Sequence, residues 1–267
     1  MASSEALVRA RRRKLGMIGG PLLDGCAARC YAPSPPVRSR GATCVMALRH
    51  ITSMPSRRRA LPPRGTLPIS DPNMASSPLL LAIGDSLVAG YGLPVSDAFP
   101  AQLERRLRRA HPGARVANAG RSGDTSADVL RRLPAAMSAL DARPALAIVQ
   151  VGPNDVLRQV PPAATRANLE AVLVELRRCG VPALLTTVAP PPVLHDRARP
   201  YLGLHDELAA RHGARTCAFF PAGVLGHPDM VLADRMHPNA RAIAAVVDAM
   251  LPVVERMLAE GDAAMRA

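Results

Sequence analysis

The chain has 267 residues, among them 27 prolines and 19 glycines, with three tyrosines, three phenylalanines and no tryptophan. Its formal net charge of +13 is unevenly spread: residues 1–73 hold 13 of the 34 basic side chains and three acids (Glu5, Asp24 and Asp71), leaving the remainder at +3. A basic-groove nucleic-acid binder is thereby excluded for the main body, and the lack of any run of about 18 apolar residues excludes an integral membrane segment.

Residues 1–73 combine nine prolines with the clusters Arg11–Arg13 and Arg57–Arg59 and show no sustained helix or strand period, the composition of a disordered segment. Arg11 to Lys14 before Leu15–Leu23 has the order of a signal segment, but Gly16, Gly19, Gly20 and Pro21 break its apolar stretch. Met74 opens MASSPLLLAIGDS, so a chain begun there would lose no expected element. Residues 1–73 are therefore read as a disordered basic leader or a mis-called start, 74–260 as one domain, and 261–267 as a C-terminal tail. The cytoplasm is the expected compartment, with periplasm or export as the alternative if the leader acts as a signal.

From Pro78 onward short apolar runs alternate with helical patterns. Leu79–Ile83 is a continuous apolar run, the mark of a strand buried on both faces. Phe99, Leu103 and Leu107 recur every fourth residue, giving an amphipathic helix whose arginines form a solvated face. Arg115–Ala117 is a second strand, and Ser126–Leu140 a helix opened by a capping-box-like Thr125 with Asp128. Ala145–Val151 is the third strand, followed by a helix carrying Leu169, Val172, Leu173 and Leu176. Ala183–Val188 and Thr216–Phe220 are the fourth and fifth strands, separated by a proline-rich loop and a helix near Leu204–His212. A long helix closes the chain from about Asn239 to Leu258, with a kink expected at Pro252. Five alternations of strand and helix predict a three-layer α/β/α fold on a five-stranded parallel sheet.

In such a sheet ligands sit beyond the carboxyl ends of the strands. Gly84, Asp85 and Ser86 follow the first strand, placing a hydroxyl at that rim. Gly123, after the second, can offer an unobstructed backbone N–H or simply belong to a helix cap. Asn154, after the third, can donate to an anion or close an Asx turn. Asp234 lies three residues before His237, so its carboxylate can take the Nδ1 proton and leave Nε2 free as a base. Pro238 is expected to start the final helix. Of the other histidines, His111, His205 and His212 fall on or at the ends of helices and read as solvated. His227 also precedes a proline, but has Val224 where an orienting acid would stand. The five cysteines form no CxxC pair and no metal-ligand spacing.

These residues resemble a known group. GDSLVAGYGL, NAGRSGDTS, GPND and DRMHPN occur in the order of the four blocks of the GDSL or SGNH hydrolases, closest to the thioesterase I, lysophospholipase L1 and arylesterase branch. The resemblance covers Leu79 to Leu258 and implies the flavodoxin-like SGNH hydrolase fold. It implies Ser86 as nucleophile, Asp234 and His237 as its triad partners, and the Ser86 amide, Gly123 and Asn154 as oxyanion donors. No cofactor or metal is expected.

The implied reaction is hydrolysis of a carboxylic ester or thioester through an acyl-enzyme, in which a neutral imidazole is required and activity should fall in acid. The loop Val156–Pro162 and the segment Pro190–Leu204 overhang the expected site. They offer Val156, Leu157, Val160 and Tyr201, with Val193, Leu194 and Leu202, as acyl contacts, or these side chains serve ordinary loop packing. Two rival functions stand beside the enzyme: a non-catalytic flavodoxin-like anion-binding module, and a salt-dependent binder of nucleic acid or membrane surfaces built on the leader.

Overall fold

Apolar runs long enough for one strand each set the centre of the sheet. The computed structural model describes residues 77–266, so the expectations for the leader and for Cys26, Cys30 and Cys44 lie outside the described residues. Strands β1 (Leu79–Gly84) and β3 (Leu146–Gln150) are buried at every position. With β2 (Arg115–Gly120), β4 (Ala183–Thr187) and β5 (Arg215–Ala218) they form one parallel sheet in the order β2-β1-β3-β4-β5. β2 and β5 lie at the edges and show exposed positions.

The helices are α1 (Ser86–Ala89), α2 (Phe99–Leu107), α3 (Ser126–Ser138), α4 (Pro153–Leu157), α5 (Pro162–Arg178), α6 (His195–Ala198), α7 (Leu204–His212) and α8 (Ala240–Arg266). Alternation along each strand decides which layer it meets. Leu80, Ala82, Leu146, Ile148 and Leu184 pack with Phe99, Leu103 and Leu107 of α2 and with Ile243, Val246, Val247 and Met250 of α8. Leu81, Ile83, Ala147, Val149 and Leu185 pack on the other face, against side chains of α3, α5 and α7. Each fully buried Leu, Ile or Val contributes about 1.5–3 kcal/mol to holding these three layers together.

Several element boundaries differ from the sequence reading. β2 continues to Gly120, because its last three residues still pair with Ala82, Ile83 and Gly84. β5 closes at Ala218, while the next residue, Phe219, turns its ring to within 5.4 Å of Phe99. α8 starts at Ala240 and runs past Leu258, through Pro252 and through the segment read as a tail, to Arg266. Its first turn is capped by Asn239, whose Oδ1 accepts the Ala242 N–H at 3.0 Å. Pro238 instead sits before the helix, in an isolated bridge with Val231. The arginines of α2 are not simply a solvated face: Arg106 reaches Asp248 of α8 at 2.9 Å.

The topology fixes where a ligand can approach. The chain leaves β1 for β2 on one side and then crosses to β3 on the other, so a crevice opens beyond the carboxyl ends of β1 and β3. Ser86 and Asn154 lie immediately past those ends.

Candidate active site

Strand β1 delivers a serine to that crevice through a close backbone approach. A Cβ on Gly84 would fall 2.1 Å from the Gln150 carbonyl oxygen of β3, so only glycine lets the two strands converge here. Close packing, rather than a left-handed turn, is thus what Gly84 supplies. Asp85 caps α1, its Oδ1 accepting the Leu87 N–H at 2.9 Å. Burial pushes its carboxyl up to about 6, against the pull of that N–H bond. Ser86 is the first residue of α1 and half-buried. Its backbone N–H has no partner among the described residues, as expected of a helix's first N–H groups.

Past β2 the chain turns at Gly123, where φ is +85°, a left-handed conformation that favours glycine. The Gly123 N–H is likewise without a partner among the described residues. Asp124 is buried and ion-paired with Arg132 of α3. Thr125 opens α3 with the expected capping box: its N–H and hydroxyl donate to Asp128 at 3.0 and 2.7 Å, which holds the Asp128 carboxyl down to about 2.

Past β3, Asn154 donates one Nδ2–H to the Asp124 carbonyl at 3.0 Å. Its contact with Asp85 Oδ2 is 3.5 Å, long for N–H···O, so the second N–H is weakly engaged. The next residue, Asp155, is fully buried. It accepts from the Ser126 N–H at 2.9 Å, the Ser126 hydroxyl at 2.5 Å and the Thr165 hydroxyl at 3.1 Å. This carboxylate ties the Asn154 turn to the starts of α3 and α5.

The fourth segment arrives from before α8. Asp234 Oδ1 accepts the N–H groups of Met236 and His237 at 2.9 and 3.0 Å, and Oδ2 meets His237 Nδ1 at 2.7 Å. These bonds hold the Asp234 carboxyl down to about 2, the two backbone N–H groups contributing most. Because a carboxylate only accepts, Nδ1 carries the proton of the neutral ring and Nε2 is left as acceptor. Nε2 lies 3.1 Å from Ser86 Oγ. An exposed, left-handed Arg235 (φ 56°) makes the sharp turn between the acid and the imidazole. The Tyr91 ring lies 4.3 Å from the His237 ring, tilted by 36°.

Ser86, His237 and Asp234 are therefore joined in one hydrogen-bonded line, and Asn154 and Gly123 flank Asp124 beside it. Such a line can remove a hydroxyl proton as the oxygen attacks an electrophile, while free N–H groups nearby can stabilise developing negative charge. Of the expected acyl contacts, Tyr201 and Val160 are brought together, the Tyr201 hydroxyl donating to the Val160 carbonyl and tying the two loops, while Leu157 is exposed. The aromatic ring against the imidazole is Tyr91, which sequence reasoning missed although it stands inside the GDSLVAGYGL segment. Asp155 and Arg132 were missed as well; GPND carried a signal for the first, and nothing local marked the second.

The other histidines need correction. His205 is largely buried and bonded to the Val151 carbonyl at 2.9 Å, and burial lowers its pKa. The side chain of His212 is mostly covered and meets Glu170 at 3.1 Å, so neither is solvated. His227 Nδ1 accepts the Asp229 N–H within its own turn.

The chain is similar to several known proteins. A family model described as the GDSL-like Lipase/Acylhydrolase family matches residues 82–245. "Esterase TesA" of Pseudomonas aeruginosa is 34% identical over 185 residues, 69% of this chain and 91% of that protein. "Thioesterase 1/protease 1/lysophospholipase L1" of Escherichia coli K12 is 32% identical over 177 residues, 66% of this chain and 83% of that protein. Among solved structures, AlinE4, described as an SGNH-hydrolase family esterase, shares 40% identity with a TM-score of 0.56, covering 68% of this chain and 97% of that chain.

Proposed function

This chain belongs to the GDSL-like lipase/acylhydrolase family, and on that premise we propose that it hydrolyses carboxylic esters, thioesters or both through a Ser86–His237–Asp234 triad. The observation that carries the reading is the 3.1 Å contact between His237 Nε2 and Ser86 Oγ, with Asp234 on the opposite ring nitrogen. Ser86 Oγ attacks the acyl carbonyl as its proton passes to Nε2. The imidazolium, stabilised by Asp234, returns that proton to the leaving alcohol or thiol, and an acyl-enzyme remains. Water then attacks the acyl carbon, giving its proton to Nε2, and Ser86 leaves with that proton.

General base action accounts for roughly 10² to 10⁴ of the rate, so the developing oxyanion must be stabilised separately. The N–H groups of Ser86 and Gly123 and the Asn154 amide are the proposed donors. Arylesterase, acyl-CoA thioesterase and lysophospholipase activities are the substrate classes we infer, with Val156, Leu157, Val160 and Tyr201 as proposed acyl contacts. We also keep the cytoplasm as the proposed compartment; recovery of a leader-cleaved chain from the periplasm or the medium overturns that placement.

A fluorophosphonate probe tests the reaction directly. It should label Ser86 in the wild-type protein and fail to label a folded His237→Ala variant. Failure to label either protein would favour the anion-binding alternative, in which no serine is activated, and equal labelling of the two would show that His237 is not the base.

A further inference from the structure

The three proposed oxyanion donors come from three different loops, so something must hold those loops in register to a fraction of an ångström. One side chain touches the backbone of two of them and the residue that anchors the third. Arg132, on α3, is mostly covered. Its Nη2 donates to the Gly84 carbonyl at 2.8 Å, its Nη1 to the Ala119 carbonyl at 2.5 Å, and its Nε to the Asp124 carboxylate. Gly84 and Ala119 are at the carboxyl ends of β1 and β2, and Gly84 precedes Ser86 by two residues. Asp124 follows Gly123 directly, and its carbonyl accepts the Asn154 amide at 3.0 Å.

We propose that Arg132 is the positioning residue of the oxyanion site, fixing the Ser86, Gly123 and Asn154 donors relative to one another through the Gly84 carbonyl, the Ala119 carbonyl and Asp124. The inference rests on the oxyanion reading above and adds to it the group that enforces the geometry. Arg132 touches neither substrate nor reacting atoms. A planar guanidinium suits the task, since its rigid fork addresses three acceptors at once, while the Asp124 carboxylate balances its charge. Lysine would keep the cation near Asp124 but could not reach all three acceptors in fixed directions.

The test is the pair Arg132→Lys and Asn154→Ala, alone and combined, with kcat and KM for a p-nitrophenyl ester measured well below each variant's melting midpoint. Arg132→Lys should lower kcat about 10- to 100-fold with KM within about twofold of wild type. Asn154→Ala should cost about 10²-fold or more in the wild-type background, but less than about tenfold further in the Arg132→Lys background, because the donor is already misplaced. A purely structural arginine would lower the melting midpoint and leave kcat of the folded enzyme intact; that result overturns the proposal, as does an undiminished Asn154→Ala effect in both backgrounds. If Asn154→Ala alone leaves kcat at the wild-type value, the oxyanion reading itself has failed, and the positioning proposal falls with it. Should Arg132→Lys not fold, Asp124→Asn supplies the same two readouts. It keeps an oxygen for Nε and leaves no bare carboxylate.

Discussion

The strand-end side of the site and the loop side are both organised by carboxylates, but in different surroundings. Asp85, Asp124 and Asp155 are 1%, 5% and 0% exposed; Asp124 pairs with Arg132 of α3, and Asp155 ties together the starts of α3 and α5. Asp234 is exposed, and its three hydrogen bonds all stay within three residues of itself. One set of acids builds the scaffold; Asp234 folds a single short loop that carries an imidazole to it. Loss of Asp155 on the first side should therefore be felt in stability, and loss of Asp234 on the second in turnover.

The sharpest way to break this contrast is Asp234→Ala. It should lower kcat by about 10⁴-fold, since the imidazole loses its orientation and its counter-charge, with only a small fall in the thermal midpoint. A large fall in the midpoint would show that the loop is part of the scaffold after all. Asn154→Ala, on the strand-end side but with a side chain half-exposed to the crevice, should reduce kcat about 10²- to 10³-fold and leave circular dichroism unchanged.

Asp155→Ala should show the opposite pattern. It strands the Ser126 N–H and two hydroxyls in the interior, a loss of about 3 kcal/mol, read as a fall of about 10 °C in the melting midpoint. An effect of similar size is on the pH dependence of stability. Asp85 rises from an ordinary 3.8 to about 6 on folding, so between those values the folded chain holds a proton that the unfolded chain has released. Stability should fall as pH rises through that window, by on the order of 3 kcal/mol in total. Asp85→Asn should flatten that slope in denaturant midpoints measured from pH 4 to 7. Asp128 and Asp234, both held near 2, act with the opposite sign: their contribution is lost as pH falls below about 4.

What could be read from sequence followed the range of the interactions involved. β1 and β3 were legible because burial on both faces leaves an uninterrupted apolar run, and α3 because its capping box is made of neighbours. The Asp234–His237 pair was legible for the same reason, since its members stand three positions apart. Illegible were the contacts that only tertiary packing creates: Arg132 reaching back to Gly84 across 48 positions, Arg106 reaching Asp248, and Tyr91 lying against an imidazole that follows it by well over a hundred residues. The start of α8 was misplaced because Pro238 suits a first helical position by its ring, whereas Asn239 provides a side-chain cap that only the fold displays.

That tyrosine has a practical corollary. The chain has no tryptophan and only three tyrosines, so its ultraviolet emission is weak but free of the usual dominant fluorophore. One of the three emitters lies 4.3 Å from the imidazole on which turnover is proposed to depend. Protonation of that ring, or an acyl group arriving beside it, changes the emitter's surroundings directly. The protein thus carries a built-in optical gauge of its own working state, and a Tyr91→Phe background supplies the blank.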